Sequence, residues 1–222
     1  MERPWSQQIG YDTFRVIARL AGTVCFRLRW LGAENFPKTG GALICSNHQS
    51  FFDPVLVGLT CDRRMNYLAR NTLYKNRVLG VLIDFFDTIP IDREGSGLSG
   101  LKETLKRLND GEFVLIFPEG TRTRDGEVAH LKPGFCSVAR RSGVPLVPIG
   151  VDGAYQAWPR TSPLPSLGRI GVVIGQPITA AEVQSLTDEQ LVANLERRIR
   201  GCHAAARVLR TDPGVPIEPT DI

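Results

Sequence analysis

The sequence predicts a single α/β domain with a mixed central sheet flanked by helices and a basic amphipathic helix at its N-terminus. The chain has 222 residues, 42% of them hydrophobic, which is enough to bury one core and demands no second domain. Short apolar runs typical of buried strands alternate with stretches of helical periodicity. Two of these runs end abruptly in polar motifs, at Asn47 and at Pro118. Since ligands bind at the carboxyl ends of strands in open α/β sheets, both motifs stand where a site is expected.

The first element is a helix from about Tyr11 to Leu31, because apolar residues recur there at helical spacing with arginines between them. It can pack on the domain as its first helix, or lie on an anionic membrane, where each basic residue adds about 1 kcal/mol. The two interpretations are compatible, because one helix can bridge both. The apolar positions are Phe14, Ile17, Ala18, Ala21, Val24, Cys25 and Leu28, and the basic ones are Arg15, Arg19, Arg27 and Arg29.

The first polar motif follows the strand predicted at Ala42–Cys45. Pro54 disfavours the α conformation for Asp53 and suits a first helical position, so we expect Asp53 to cap a helix. His48 then lies in a strand-to-helix loop that can curl back toward Asp53. A carboxylate beside a histidine fixes its tautomer and stabilises its protonated form, which is the equipment of a general base. The structural alternative is that Asp53 is only a cap and His48 only a loop histidine.

The middle of the chain predicts further strands and helices. Strands are expected at Met65–Leu68 and Asp87–Ile91, with Pro90 indicating an edge position for the second. Helical spacing occurs within Thr72–Phe86 and again at Leu101–Leu108.

A glycine loop, Gly95–Gly100, matches the dinucleotide pattern Gly-x-Gly-x-x-Gly, with Glu119 about the right distance downstream. A nucleotide site needs an apolar strand running straight into the first glycine, whereas Asp92 and Glu94 place carboxylates there. We therefore favour a loop that enters a helix, with Ser99 as its cap, over a nicotinamide site.

The second polar motif, Pro118-Glu119-Gly120-Thr121-Arg122, ends a strand predicted at Phe113–Phe117 and buried on both faces. An ordinary Pro-Gly turn is the alternative interpretation. The rest of the chain predicts a helix, two strands separated by a loop, and a long helix that a capping box of Thr187 and Gln190 begins. The bounds are Cys136–Arg141, Val144–Gly150, Ala154–Gly168 for the loop, Arg169–Gly175, and a last helix to about Leu209.

Composition bounds the function classes. A net charge of +4, not gathered in one block, argues against nucleic-acid binding. The five cysteines form no Cys-x-x-Cys pair and are isolated from His48, His130 and His203, so we expect reduced thiols and no metal site. No apolar stretch reaches the roughly 18 residues of a membrane span, and no signal peptide is evident. We expect a cytoplasmic protein in peripheral contact with the inner face of the cell membrane.

The two strand-end motifs, about seventy residues apart, together resemble the glycerolipid acyltransferase family, which includes the 1-acylglycerol-3-phosphate (lysophosphatidic acid) acyltransferases. The resemblance covers roughly Ala42 to Ile149. It extends to Ile91-Asp92-Arg93, which is similar to the family's middle motif, and to Val147-Pro148-Ile149, which is similar to its fourth. The middle motif is looser here than in the family's clearest form. The division that follows is residues 1–31 as a membrane-associating helix, 32–210 as an acyltransferase domain and 211–222 as a flexible tail.

The resemblance implies transfer of an acyl group from acyl-CoA or acyl carrier protein to the hydroxyl of a lysophospholipid, foremost 1-acylglycerol-3-phosphate, with no cofactor. His48 would be the general base and Asp53 would orient it. Other acceptors, such as another lysolipid, a lyso-aminolipid or a glycolipid, remain open, as does a lipid-binding protein without turnover. The residues implied in acceptor binding are Arg93, Glu119, Gly120, Thr121 and Arg122, and Lys132 would contact the substrate phosphate or an acidic carrier.

Overall fold

A computed structural model describes residues 5–70, 89–91, 98–212 and 214. Seven strands form one sheet in the order β1-β7-β6-β2-β5-β3-β4. The strands are β1 (Arg29–Leu31), β2 (Ala42–Ser46), β3 (Met65–Arg70), β4 (Ile89–Ile91), β5 (Phe113–Ile116), β6 (Leu146–Asp152) and β7 (Gly171–Ile174). The helices in the described ranges are α1 (Trp5–Phe26), α2 (Asp53–Leu59), α3 (Leu98–Asn109), α4 (Gly134–Ser142), α5 (Ala154–Ala157), α6 (Ala180–Ser185) and α7 (Asp188–Thr211).

The sheet is mixed, as the sequence predicted. All neighbouring strands are parallel except β6 and β7, which pair antiparallel. β2 lies at the centre between β5 and β6, with Cys45 opposite Ile116. The carboxyl ends of β2 and β5 therefore lie side by side, and the two polar motifs that follow them share one edge of the sheet.

Helices cover both faces of the sheet. On one face, Leu56 of α2 and Ala154 of α5 are buried, and Phe26 of α1 packs against the same cluster. On the other face, Leu108 of α3 and Leu195 of α7 belong to a second buried cluster, which α4 and α6 also join. The strands between the two layers read as continuous apolar runs because both of their faces are covered.

The N-terminal helix is present, but the predicted bound at Leu31 is wrong. α1 ends at Phe26, and Arg27 adopts a left-handed conformation with φ of 42° that no helix can continue. The backbone N–H of Arg29 then donates to the carbonyl of Ile170, and β1 joins the sheet beside β7. Residues 29–31 are thus part of the sheet.

The structure confirms two further predictions from the sequence and contradicts a third. β4 is an edge strand, as Pro90 indicated. The capping box is confirmed, because the Thr187 side chain accepts from the N–H of Gln190 and the Gln190 side chain from that of Thr187. Ser99 is not a cap, since α3 begins at Leu98 and places it inside the helix.

Several predictions concern residues that lie wholly or partly outside the described ranges. The helices expected within Thr72–Phe86, the middle-motif residue Arg93, Asp92, Glu94 and Gly95–Gly97 are among them. In the ranges that are described, no helix is long and apolar enough to cross a membrane. Cys45, Cys61, Cys136 and Cys202 are free and buried, and Cys25 is free and exposed.

Candidate active site

The loop after β2 folds around the carboxylate of Asp53. Its Oδ2 atom accepts hydrogen bonds from the backbone N–H groups of Gln49 at 2.6 Å and Ser50 at 2.7 Å. The expectation that Asp53 caps α2 is wrong, because Asp53 is the first helical residue and Phe52 stands at the cap without a side-chain bond. Because the loop curls back, its backbone N–H groups point toward the carboxylate. The Asp53 side chain therefore accepts hydrogen bonds from the loop instead of from the first turn of the helix.

His48 completes this arrangement. Its Nδ1 lies 2.7 Å from Oδ2 of Asp53, whose side chain is 0% exposed while that of His48 is 19% exposed. The imidazole stacks on the ring of Phe117, with centroids 3.9 Å apart and an interplanar angle of 14°. A hydrogen bond from Nδ1–H to the carboxylate leaves Nε2 as the nitrogen that can accept a proton.

Glu119, at the end of the neighbouring strand, holds the backbone of His48. Its Oε1 accepts from the His48 N–H at 2.7 Å, and its Oε2 accepts from the N–H of Ala129 at 3.1 Å. The Thr123 N–H donates to the His48 carbonyl at 2.8 Å, so the loop after β5 grips His48 on both sides. Burial raises the pKa of the Glu119 carboxyl to about 7, although these hydrogen bonds oppose the rise.

Arg122, in the loop after β5, lies near enough to Asp53 for their charges to interact. Its guanidinium lies over the ring of Phe51, with Cζ 3.5 Å from the centroid. Its buried Nη1 has no hydrogen-bond partner among the described residues. Burial lowers the pKa of Arg122, the nearby charge of Arg160 lowers it further, and the Asp53 carboxylate opposes both. A buried guanidinium nitrogen that no described group satisfies is suited to bind an anion.

The remaining predicted residues surround Glu119 in the same loop. Gly120 has a φ of 74°, and a Cβ atom there would come within 3.2 Å of Lys132 Nζ, so the lysine side chain passes over its backbone. The N–H of Lys132 donates to the carbonyl of Pro118 at 2.9 Å. Thr121 is exposed at the rim. Apart from Arg93, which lies outside the described ranges, and Asp53, which begins α2, every predicted site residue therefore lies in the loops that follow β2 and β5.

Two amides in the first motif were not singled out by the sequence. Asn47 pairs with the backbone of Val151, accepting its N–H at 2.7 Å and donating to its carbonyl at 2.9 Å. Gln49 donates to the carbonyl of Gly126 at 2.6 Å and accepts from the N–H of Tyr155 at 3.2 Å. Their signal in the sequence is a pair of amides directly after a buried strand, where polar groups have to be satisfied.

A buried ionic cluster lies behind Gln49, and nothing in the sequence brought its members together. Gln49 Nε2 lies 3.2 Å from Nε2 of His203 on α7, and the same histidine nitrogen lies 3.3 Å from Oδ1 of Asp152. Arg210 donates to the other Asp152 oxygen. Burial by itself would raise the pKa of Asp152, but the bonds from His203 and Arg210 lower it to about 2. His203 thus brings α7 against the Gln49 side chain of the His48 loop.

No group of three or more His, Cys, Asp or Glu side chains in the described ranges is arranged to hold a metal ion.

Comparison with known proteins gives similarity at three levels. Residues 27–152 match the model of the family described as Acyltransferase. The 1-acyl-sn-glycerol-3-phosphate acyltransferase of Bacillus subtilis (strain 168) is 31% identical over 183 residues, which cover 82% of this chain and 87% of that protein. The protein of the same name from Pseudomonas aeruginosa is 32% identical over 168 residues, covering 74% of this chain and 63% of that protein.

Longer relatives and a solved structure extend the comparison. The chloroplastic 1-acyl-sn-glycerol-3-phosphate acyltransferase LPAT1 of Arabidopsis thaliana is 29% identical over 84% of this chain and 53% of its own length. The crystal structure of the 1-acyl-sn-glycerophosphate (LPA) acyltransferase from Thermotoga maritima superposes with a TM-score of 0.78 at 22% identity, covering 95% of this chain and 85% of that one. At this identity, the structural likeness shows a shared fold.

Proposed function

The chain belongs to the acyltransferase family, and from that premise we propose that it transfers a fatty acyl group to the hydroxyl of 1-acylglycerol-3-phosphate to give phosphatidic acid. The names of its relatives support this acceptor. The observation that carries the proposal is the bond of 2.7 Å between His48 and Asp53, with the guanidinium of Arg122 at the end of the neighbouring strand. A base and a cation on loops that follow neighbouring strands suit an acceptor that has both a hydroxyl and a phosphate.

The reaction needs one proton acceptor and no acyl-enzyme. Nε2 of His48 takes the proton of the acceptor hydroxyl as its oxygen attacks the thioester carbonyl and forms the new C–O bond. The tetrahedral oxyanion then collapses, the C–S bond breaks, and the imidazolium returns its proton to the leaving thiolate. Asp53 stabilises the imidazolium and holds the tautomer, and such general-base help is worth about 10² to 10⁴ in rate.

Arg122 and Lys132 are proposed to bind the acceptor phosphate. The Nη1 atom of Arg122, which has no partner in the part of the chain that the structure describes, supports this role, because a planar guanidinium can bind two phosphate oxygens at once. Lys132, whose amine lies over Gly120, adds a second positive charge at the same loop. Thr121 and Arg93 are proposed to contact the glycerol and phosphate portions.

Glu119 is proposed to serve the acceptor indirectly. Both of its oxygens already accept backbone N–H groups, one of them that of His48. By fixing the His48 backbone, it sets the position from which the imidazole reaches the hydroxyl. This differs from direct binding, for which a carboxylate is poorly suited because it repels phosphate.

The acyl donor is proposed to be acyl-CoA or acyl carrier protein, and α1 is proposed to hold the enzyme at the inner face of the cell membrane. Support for the second point comes from Val16, Ile17, Leu20 and Val24, which are all exposed on α1. An exposed apolar helix face beside basic residues is typical of helices that lie in the membrane interface.

The proposal is tested by an acyl-transfer assay that follows thiol release with a panel of lysolipids and acyl-CoA chain lengths. His48→Ala should lower turnover by about 10² to 10⁴ with 1-acylglycerol-3-phosphate as acceptor. His130→Ala is the matched control, because the His130 side chain is 95% exposed and lies outside the site. Turnover that survives in His48→Ala would refute the general-base assignment, and no turnover in the wild type with any acceptor would favour a lipid-binding protein.

A further inference from the structure

A second basic site lies where α1 meets the sheet, and the proposed reaction does not use it. A pocket of about 350 Å³ is lined by Thr23, Arg27, Leu28, Arg29, Arg169 and Arg210. Four of these six residues are arginines, and no carboxylate is among the described lining residues. We call this the arginine pocket. Its size is at the lower end of the range of about 300 to 1,000 Å³ that is typical of small-molecule sites.

Backbone hydrogen bonds bring these arginines together. The N–H of Ile170 donates to the carbonyl of Phe26, and the N–H of Arg29 donates to the carbonyl of Ile170, both at 3.0 Å. These bonds tie the residues that follow α1 to the start of β7, so Arg27, Arg29 and Arg169 converge. The arrangement is built into the fold, since β1 and β7 pair in register at Arg29 and Gly171.

The positive charge of the pocket is largely unbalanced. Arg210 donates to Asp152, but within the described ranges Arg27, Arg29 and Arg169 form no side-chain hydrogen bond or ion pair. Arg27 also holds a φ of 42°, which disfavours any side chain and which a glycine would adopt freely. Like charges held close together repel unless an anion lies between them. Guanidinium groups bind phosphate oxygens bidentately, so phosphate is the anion that this chemistry favours.

The exposed face of α1 indicates where such a phosphate comes from. Val16, Leu20 and Val24 are spaced four residues apart and lie on one side of the helix, and Thr23 on the same side opens onto the pocket. Their exposures, with that of Ile17, lie between 61% and 70%. In a bilayer, the acyl chains lie next to the phosphate groups of the lipids. An apolar stripe beside a cationic pocket matches this arrangement, with the stripe contacting acyl chains and the pocket contacting phosphates.

The arginine pocket is separate from the cation at the active site. Along the sheet, β6 and β7 lie between β2, which His48 follows, and β1, which Arg29 begins. Three strand spacings of about 4.8 Å place the pocket roughly 14 Å from the end of β2. Both lie at the same edge, because β6 ends at Asp152 opposite Gly171, which pairs with Arg29. A phosphate bound here therefore leaves Arg122 and Lys132 free for the acceptor.

We propose that the arginine pocket binds the phosphate group of an anionic phospholipid while the apolar stripe of α1 enters the bilayer. The pocket would then orient the enzyme, with the sheet edge that holds His48 facing the membrane. The inference rests on the proposed function insofar as the acceptor comes from a bilayer, but the binding site is defined by its own residues.

Flotation with vesicles tests the pocket directly. The probe is vesicles of phosphatidylglycerol mixed with phosphatidylcholine, against vesicles of phosphatidylcholine alone, and the pocket variant is Arg27→Gln with Arg29→Gln and Arg169→Gln. The control variant is Lys102→Gln with Lys106→Gln and Arg141→Gln, which removes the same charge from exposed positions on α3 and α4, on the other face of the sheet. We expect the pocket variant to lose at least about tenfold in binding to the anionic vesicles, since a basic residue at such a surface is worth roughly fivefold.

The outcomes distinguish binding in the arginine pocket from a general attraction between positive charge and the anionic surface. They also distinguish a lipid phosphate from the phosphates of the acyl donor. Equal losses in the two variants, or no loss in the pocket variant, would overturn the proposal. So would full displacement of the wild type from vesicles by micromolar CoA, because the pocket would then belong to the donor. Neither variant should melt below the wild type, since the replaced side chains are exposed and the pocket arginines repel one another.

Activity toward a short-chain acceptor below its micellar concentration keeps the two proposals distinguishable. That activity needs no bilayer, so the pocket variant should retain it, and its loss would place the arginines in the reaction and overturn the lipid assignment. If the wild type lacked this activity with every acceptor, the proposed function would fail while the vesicle result would stand.

Discussion

The Oδ2 atom of Asp53 and the Nδ1 atom of His48 lie 2.7 Å apart, and that same oxygen also accepts the N–H groups of Gln49 and Ser50. One buried carboxylate thus orients the imidazole and closes the loop that presents it. We predict that Asp53→Asn lowers kcat by about 10² to 10⁴ with little change in the acceptor KM, because the amide cannot stabilise the imidazolium. Steady-state kinetics with 1-acylglycerol-3-phosphate measures both quantities.

The control for this variant is Asp110→Asn, at an exposed position outside the site. Its kinetic constants should equal those of the wild type. A loss in Asp53→Asn that appears only in KM would show that the carboxylate serves binding instead of proton transfer.

Glu119 makes the stability of the fold depend on pH. Burial raises its pKa from 4.5 to about 7 in the folded chain, so the folded state binds the proton more tightly than the unfolded state. The stability linked to this proton is complete below about pH 4.5 and is lost as the pH rises to about 7, a decrease of about 3 kcal/mol. Glu119→Gln carries no such proton, so we predict that its free energy of unfolding falls less over this range.

Urea denaturation of both proteins at several pH values between 4.5 and 8 measures the difference. Glu189→Gln, at an exposed position on α7, is the control and should follow the wild type. If the free energy of unfolding varied with pH in the same way for the wild type and Glu119→Gln, the Glu119 carboxyl would have the same pKa in the folded and unfolded states, contrary to the prediction.

Arg122 gives a prediction about the acceptor. Its guanidinium lies over Phe51, with one nitrogen that no described residue satisfies, and is proposed to bind phosphate. A charge-assisted bond of this kind is worth about 1.5 to 3 kcal/mol. We predict that Arg122→Gln raises the KM for 1-acylglycerol-3-phosphate roughly tenfold to a hundredfold. The KM for a monoacylglycerol, which has no phosphate, should stay the same.

Arg124→Gln removes a neighbouring exposed arginine and is the control. The KM values for both acceptors should stay the same in this variant. If the two acceptors respond equally to Arg122→Gln, the arginine supports the loop and does not bind phosphate.

The sequence was sufficient to predict that the two polar motifs meet at the carboxyl ends of neighbouring strands, because that prediction depends on local patterns. The apolar runs before Asn47 and Pro118 mark two buried strands, and parallel neighbours put their ends side by side. The Asp53 cap failed for a local reason too, since the sequence does not show which backbone amides a short side chain will reach once the loop curls. The end of α1 was missed because arginine is a good helix former, and only the structure shows Arg27 in a left-handed conformation.

The residues that the sequence could not bring together are joined by long-range packing. Gln49, Asp152 and His203 meet because α7 lies along β6, and no spacing rule connects a loop after one strand with a helix near the end of the chain. The arginine pocket has the same origin, since Arg29 and Arg169 become neighbours only through the pairing of β1 with β7.

Gly150 on β6 lets the backbone of α7 approach the sheet closely. A Cβ atom at this position would lie 2.1 Å from the backbone nitrogen of His203 and 2.2 Å from the carbonyl carbon of Cys202. These are backbone atoms of a packed helix, so they cannot move aside as the end of a side chain could. We predict that Gly150→Ala destabilises the fold by about 3 kcal/mol, the upper end of the usual cost of overpacking, because α7 has to shift away from the sheet. Gly134→Ala is the matched control, since nothing lies within 4 Å of its added Cβ, and its stability should be unchanged or raised by up to about 1 kcal/mol. Urea denaturation compares the two variants, and equal stabilities would mean that the contact between α7 and β6 adjusts without strain.

Because α7 carries His203 behind Gln49, a folded Gly150→Ala protein should also lose turnover, whereas Gly134→Ala should keep it.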